Sequence, residues 1–224
     1  MGQELTVKNA AFRLYGRQKI RALNDHQREL MEQLLPNLDI SISDLSKKAD
    51  PVLEIGFGFG EHLAHMAEKN PGTFHVGFEP FTNGVASLLQ LIDDKELRNV
   101  NLHQGDVRHF FPEMPDQLFS SIYLLYPDPW PKKRHFKRRF IQKDTLATIH
   151  RLLAPKGTFY IASDHDSYQT WIEEHIEVLE TAKTFDWANK TTKDIPWDGW
   201  IRTRYEEKAF REDRTPRYYV LTKK

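Results

Sequence analysis

Residues 51–60 read Pro-Val-Leu-Glu-Ile-Gly-Phe-Gly-Phe-Gly, a short apolar run that ends in glycines at alternate positions, Gly56, Gly58 and Gly60. A buried strand that passes through such a loop into a helix brings backbone close to a ligand with no Cβ in the way. The helical pattern follows at His62–Lys69. Outside this unit the same alternation repeats. Strand patterns fall at Phe74–Phe78, Val100–His103, Ser121–Leu125, Thr158–Ala162 and Arg217–Thr222. Helical patterns fall at Ala86–Ile92, Phe140–Leu153 and Tyr168–Leu179. Ahead of them, Arg21–Leu35 reads as a helix stopped by Pro36. Repeated β–α alternation implies an α/β fold with an open, mostly parallel sheet and helices on both faces. No internal repeat or long linker divides the chain. A basic arm and helix over 1–36 is expected to precede a domain over 37–224.

Composition narrows the function classes. With 39% apolar and 29% charged residues, the 224-residue chain has the material for one packed core and is not dominated by disorder. No apolar run nears the roughly 18 residues of a membrane span. The first eight residues lack the apolar core of a signal peptide. The absence of Cys excludes disulfides and thiolate metal sites. A cytoplasmic location is expected. Net charge is zero, but its distribution is uneven. Lys8, Arg13, Arg17, Lys19, Arg21 and Arg28 are opposed only by Asp25, and six of the eight residues in Lys132–Arg139 are Lys or Arg. Such local excess can neutralise phosphates on a neutral protein.

The glycine loop departs from the dinucleotide fingerprint G-x-G-x-x-G, because position 61 is Glu. An acid at the helix start repels a pyrophosphate, whereas S-adenosylmethionine carries no phosphate. Glu79 ends the second strand, 19 residues after Gly60, where a carboxylate can accept both ribose hydroxyls. Asp106, in Gln104-Gly105-Asp106-Val107, follows the third strand, where it can accept from an adenine amino group. With Glu54, three acids mark the carboxyl ends of the first three strands, the crevice where open α/β sheets bind ligands. Methyl transfer therefore ranks ahead of a dehydrogenase reaction.

The fourth strand runs into Tyr126-Pro127-Asp128-Pro129-Trp130-Pro131-Lys132-Lys133-Arg134-His135. Prolines at alternate positions hold this loop extended and present Asp128 near the donor. Here the sequence closely resembles the bacterial tRNA (guanine-N7-)-methyltransferase family. The match takes in Leu53–Gly60, Glu79, Gln104–Val107, Tyr126–Arg139, Ser163-Asp164 and Thr203-Arg204-Tyr205-Glu206, together with the Tyr15-Gly16-Arg17 arm. The resemblance implies a class I S-adenosylmethionine-dependent fold with a seven-stranded sheet. It implies a product 7-methylguanosine at the variable-loop position of tRNA usually numbered 46, with S-adenosylhomocysteine released. It further implies that Glu54, Glu79, Asp106 and Asp128 line the cofactor site, with Asp128 catalytic. Lys132, Asp164, Thr203, Arg204, Tyr205 and Glu206 would contact substrate. Lys133, Arg134, His135, Phe136, Lys137 and Arg138 would follow RNA.

Guanine N7 has an in-plane lone pair and no proton, so attack on a methylsulfonium needs no general base. Asp128 is then expected to stabilise the cation developing on the purine, or to accept a hydrogen bond from it. Asp164 and Glu206 are candidates to grip the guanine donor edge. Trp130, Phe136, Trp197 and Trp200 offer stacking faces, although core packing is the better expectation for each taken separately. His62 and His65 lack companion ligands, so solvent-facing or capping histidines are expected and no metal. Asp164-His165-Asp166 has no nucleophile to make a triad. Two rivals stay open: a tRNA-binding protein without turnover, and a methyltransferase for a small molecule or exocyclic amine. Either a monomer or a homodimer is compatible with the sequence.

Overall fold

The computed structural model describes residues 22–178, 183–190 and 196–224. The basic arm over 1–19, with Arg21 and Leu179, lies outside them. Among the described residues, seven strands form one sheet in the order β3-β2-β1-β4-β5-β7-β6. They are β1 (Val52–Ile55), β2 (His75–Phe78), β3 (Val100–His103), β4 (Phe119–Leu125), β5 (Leu153–Ser163), β6 (Phe185–Lys190) and β7 (Arg217–Lys223). Strands β1 to β5 pair in parallel, and β7 runs antiparallel between β5 and β6. The mostly parallel, seven-stranded sheet agrees with the sequence reading.

Side chains alternate across each strand, so the sheet has two apolar faces. Leu53, Ile55, Ile122, Leu124, Phe159 and Ile161 share one core with α6 (Lys143–Leu152) and α7 (Asp166–Glu177). On the opposite face, α4 (Glu61–Lys69) and α5 (Thr82–Asp94) pack with Val100 and Leu102. Helix α1 (Asp25–Gln33) joins this second core through Leu30. Beside it lies an aromatic layer in which Tyr123 stacks on Tyr160 at 4.7 Å, with Trp197 and Tyr218 against them. Trp197 is buried there and Trp200 meets it edge-on at 4.6 Å, the packing role expected of them.

Five elements differ from the sequence pattern. The first helix starts at Asp25 because Asn24 and Gln27 form a reciprocal capping box. Pro36 does not simply end the chain of helix: it sits in the first turn of α2 (Leu35–Leu38), where its missing N–H is no loss. Strand β6 and two helices, α3 (Ile42–Leu45) and α8 (Arg204–Arg211), were not expected from periodicity. Two signals for them were present. Buried Phe185 alternates with exposed Asp186 in β6. Thr203-Arg204-Tyr205-Glu206 has the S/T-x-x-E spacing of a helix start, and Thr203 does accept from the Glu206 N–H.

Candidate active site

A cavity of about 560 Å³ opens at the carboxyl ends of β1, β2 and β4. Its wall is made by the glycine loop, the residues after β2 and β3, the loop after β4, and α8. The glycine loop has φ +68° at Gly56 and +57° at Gly58, a region that L side chains enter at a cost. A Cβ on Gly58 would lie 2.6 Å from the Tyr205 hydroxyl, so the Tyr205 ring as placed adds to the positive φ in favouring glycine there. A Cβ on Gly56 would meet nothing within 4 Å, which leaves bare backbone facing the open space of the cavity. Gly60 is outside the wall and instead precedes α4, packed on Leu88.

Glu79 is the anchor of the loop. The residue is 7% exposed, and its carboxylate accepts from the N–H of Gly58 and of Phe81, each at 2.8 Å. Burial pushes its pKa up to about 7 against the pull of those two donors, and the charges of Asp128 and Glu54 push the same way. Asp106 caps a short 3-10 turn at Val107–His109 and is gripped by Arg108 through Nε and Nη2. Residues of this kind suit S-adenosylmethionine: bare backbone at Gly56, a buried carboxylate for ribose hydroxyls, and an acid beside the third strand for adenine.

Asp128 reaches the cavity from the loop after β4. It is open to solvent through the cleft, yet the protein around it still desolvates the carboxyl and raises its pKa. Both residues flanking the Pro127-Asp128-Pro129 unit, Tyr126 and Trp130, take left-handed φ values of +52° and +43°. Each is costly for a bulky side chain and persists only where the surroundings hold it. Tyr126 stacks near Tyr205, at 6.4 Å and 16°. The Arg138 guanidinium lies 5.0 Å over the Trp130 ring.

The cavity therefore collects Gly56, Gly58, Glu79, Asp106, Asp128, Tyr205 and Arg138 from the residues named by the sequence. Others lie elsewhere. Glu54 shares the face of Val52, because side chains alternate along β1, and is buried under α4 against His62 at 2.8 Å. That burial also corrects the expectation that His62 faces solvent or caps a helix. Thr203 is a buried cap, and Glu206 is buried where it accepts from the Tyr218 hydroxyl at 2.6 Å. Arg204 pairs with Glu61 at 2.6 Å and covers the Phe59 ring. Asp164 pairs with Arg214 at 2.8 Å. Lys132, Lys133, Arg134 and Lys137 are exposed, along or just before a 3-10 turn at Lys133–Arg138, and Phe136 leans on Trp171. His135 meets Trp130 edge-on.

Sequence reasoning missed Phe59, Phe81, Arg108, Phe140 and Lys208 in the wall. Arg108 was within reach, two residues after Asp106. Lys208 follows Tyr205 by three positions, a same-face spacing once α8 is known. Among the described residues no group of three His, Cys, Asp or Glu side chains is arranged to hold a metal. No helix there is long and apolar enough to cross a membrane.

Known proteins resemble this chain at two levels. Residues 48–217 match a family model described as a putative methyltransferase. The tRNA (guanine-N(7)-)-methyltransferase of Agrobacterium fabrum is 40% identical over 222 residues, covering 94% of both chains. That of Rhizobium meliloti is 42% identical over 219 residues, covering 92% of this chain and 93% of its own. Among solved structures, an antibiotic-related methyltransferase superposes with a TM-score of 0.58 at 16% identity, over 82% of this chain and 94% of the other. At that identity the likeness is one of fold.

Proposed function

The chain belongs to the tRNA (guanine-N(7)-)-methyltransferase family, and from that premise we propose that it methylates N7 of the variable-loop guanosine 46 of tRNA with the residues of this cavity. It is an S-adenosylmethionine-dependent enzyme. The observation that carries the reading is the convergence of Glu79, Asp106 and Asp128, from the ends of three strands, on one cavity walled by Tyr205 and Trp130.

When bound, S-adenosylmethionine supplies a methylsulfonium carbon: the S–CH3 bond breaks, the N7–CH3 bond forms, and sulfur keeps the electron pair as S-adenosylhomocysteine leaves. Gly56 and Gly58 let the backbone approach the cofactor. Glu79 accepts from the ribose hydroxyls, and Asp106, steadied by Arg108, accepts from adenine. No proton leaves N7, so Asp128 removes none. Its carboxylate faces the cation that develops on guanine and lowers the barrier electrostatically. Tyr205 is the residue of α8 that meets substrate. Thr203, Arg204 and Glu206 support it from behind through the cap, the Glu61 pair and the Tyr218 hydrogen bond. Asp164, held by Arg214 through one oxygen, has the other left to accept from guanine. Lys132, Lys133, Arg134, His135 and Lys137 meet phosphates, which position the RNA without specifying it. Arg138 and Phe136 brace the loop beside them.

Nucleoside analysis of tRNA from cells lacking this protein tests the reading. Loss of 7-methylguanosine, restored by the wild-type chain and not by Asp128→Asn, is the expected result. Unchanged 7-methylguanosine overturns it.

A further inference from the structure

Arg139 ends the basic run 132–139, where its position suggests one more phosphate contact. The structure gives it a different environment. It is 1% exposed. Its Nε donates to the Pro129 carbonyl at 2.8 Å, Nη1 to the Ser167 carbonyl at 2.9 Å and Nη2 to Ser167 Oγ at 2.9 Å. The Phe136 ring lies 3.7 Å from the guanidinium carbon, with Tyr168 and Trp171 at 5.1 and 5.2 Å. A cation enclosed by three rings cannot neutralise a phosphate. Burying it is expensive unless the planar fork is used for geometry.

The loop after β4 has a need that this fork meets. Pro127, Pro129 and Pro131 carry no N–H, so alternate residues of the loop lack a backbone donor, although Tyr126 donates to the Ala162 carbonyl at 2.8 Å where the loop begins. At the prolines themselves the backbone can be hydrogen-bonded only through carbonyls, by donors from elsewhere in the chain. Both ends of the Pro127-Asp128-Pro129 unit are also in left-handed backbone, which relaxes unless held. Arg139 joins the Pro129 carbonyl to the first turn of α7, a rigid element.

We propose that Arg139 is a positioning residue for methyl transfer, fixing Pro129 and through it the Asp128 carboxylate, and that it makes no contact with RNA. The inference rests on the role given above to Asp128. It separates one cation from a run in which the sequence offers no distinction. Arg139 sets the rate at the bound complex, and its exposed neighbours set the affinity for tRNA.

The test compares Arg139→Lys, Asp128→Asn, the double variant and Lys137→Ala in the full-length enzyme. Single-turnover methyl transfer is measured at saturating S-adenosylmethionine and tRNA, and tRNA affinity is measured against salt. Arg139→Lys keeps the charge and loses the fork. Its rate is expected to fall about tenfold or more, with tRNA affinity within about twofold and an unchanged salt slope. Lys137→Ala, by contrast, makes the slope shallower by about one. In the Asp128→Asn background Arg139→Lys is expected to cost less than about twofold more, since both act at one point. A full rate for Arg139→Lys, a shallower salt slope, or independent losses in the double variant overturns the inference and leaves Asp128 standing. A full rate for Asp128→Asn overturns the Asp128 role and this inference together. If Arg139→Lys does not fold, Ser167→Ala decides. A several-fold slower rate at unchanged slope supports the inference, and an unchanged rate overturns it.

Discussion

The two loops that face each other across the cavity reach the same end by opposite means. Both follow buried, adjacent parallel strands, β1 and β4. The loop after β1 turns on glycines and is tied by its own N–H groups, with Gly58 donating to the buried Glu79 carboxylate. The loop after β4 has prolines at alternate positions and bulky residues in left-handed backbone, and the Arg139 side chain, ten residues on, holds it at the Pro129 carbonyl. The first is shaped by what is absent from its side chains. The second is stiff and clamped. A binding surface needs close backbone approach, whereas a charge aimed at one atom needs a fixed direction.

Four measurements bear on that contrast. Asp128→Asn removes the charge that the clamped loop presents, and single-turnover methyl transfer is expected to slow roughly 100-fold with tRNA affinity intact. An unchanged rate would mean that the loop supplies shape alone. Gly58→Ala attacks the other loop. The new methyl meets Tyr205 at 2.6 Å and φ stays near +57°, a backbone cost of about 1–2 kcal/mol before the clash. Calorimetry is expected to show S-adenosylhomocysteine binding weakened about tenfold or more. Normal affinity would show that α8 yields easily.

Glu79 gives the third test, with a definite sign. Its pKa is raised from 4.5 to about 7 in the cofactor-free protein, mainly by burial. The proton is therefore bound more tightly in the folded state. Its contribution to stability is full below about 4.5 and is lost as pH rises through about 7. Ribose hydroxyls favour the ionised carboxylate, so cofactor affinity runs the other way. It is expected to rise with pH, by up to about tenfold per unit below 7, and to level off above. Glu79→Gln flattens that profile, and a flat wild-type profile between pH 5.5 and 8 would remove Glu79 from the ribose. The smallest effect belongs to Lys137→Ala. Filter binding should show tRNA affinity down only a few-fold, with the salt slope reduced by about one.

Much of the site was legible because local pattern carries it. Gly56 and Gly58 announce a turn, Glu79 and Asp106 stand just past strand ends, and three prolines around Asp128 announce a stiff loop. Residues that the resemblance groups together separate in the fold, for one reason. The resemblance implies that Thr203-Arg204-Tyr205-Glu206 contact substrate as a unit. Yet Thr203 caps α8 and Glu206 turns to Tyr218, and of the four Tyr205 alone lines the cavity. Glu54 sits one residue before Ile55, which lines the cavity, and the strand's period of two sends it to the other face.

The sequence by itself determined the alternation of strands and helices, the glycine loop, and the presence of acids just past the ends of β2, β3 and β4. These depend on hydrophobic period and on the backbone preferences of Gly and Pro, which act over a few residues. Only the tertiary structure decided which charges meet solvent and which are enclosed. Arg139 and Lys137 stand two apart in one basic run, but Arg139 is enclosed by Tyr168 and Trp171 and bonded to Ser167, 28 residues away. Whether a charge meets solvent or a partner is fixed by contacts that close across the fold, and no local period records them.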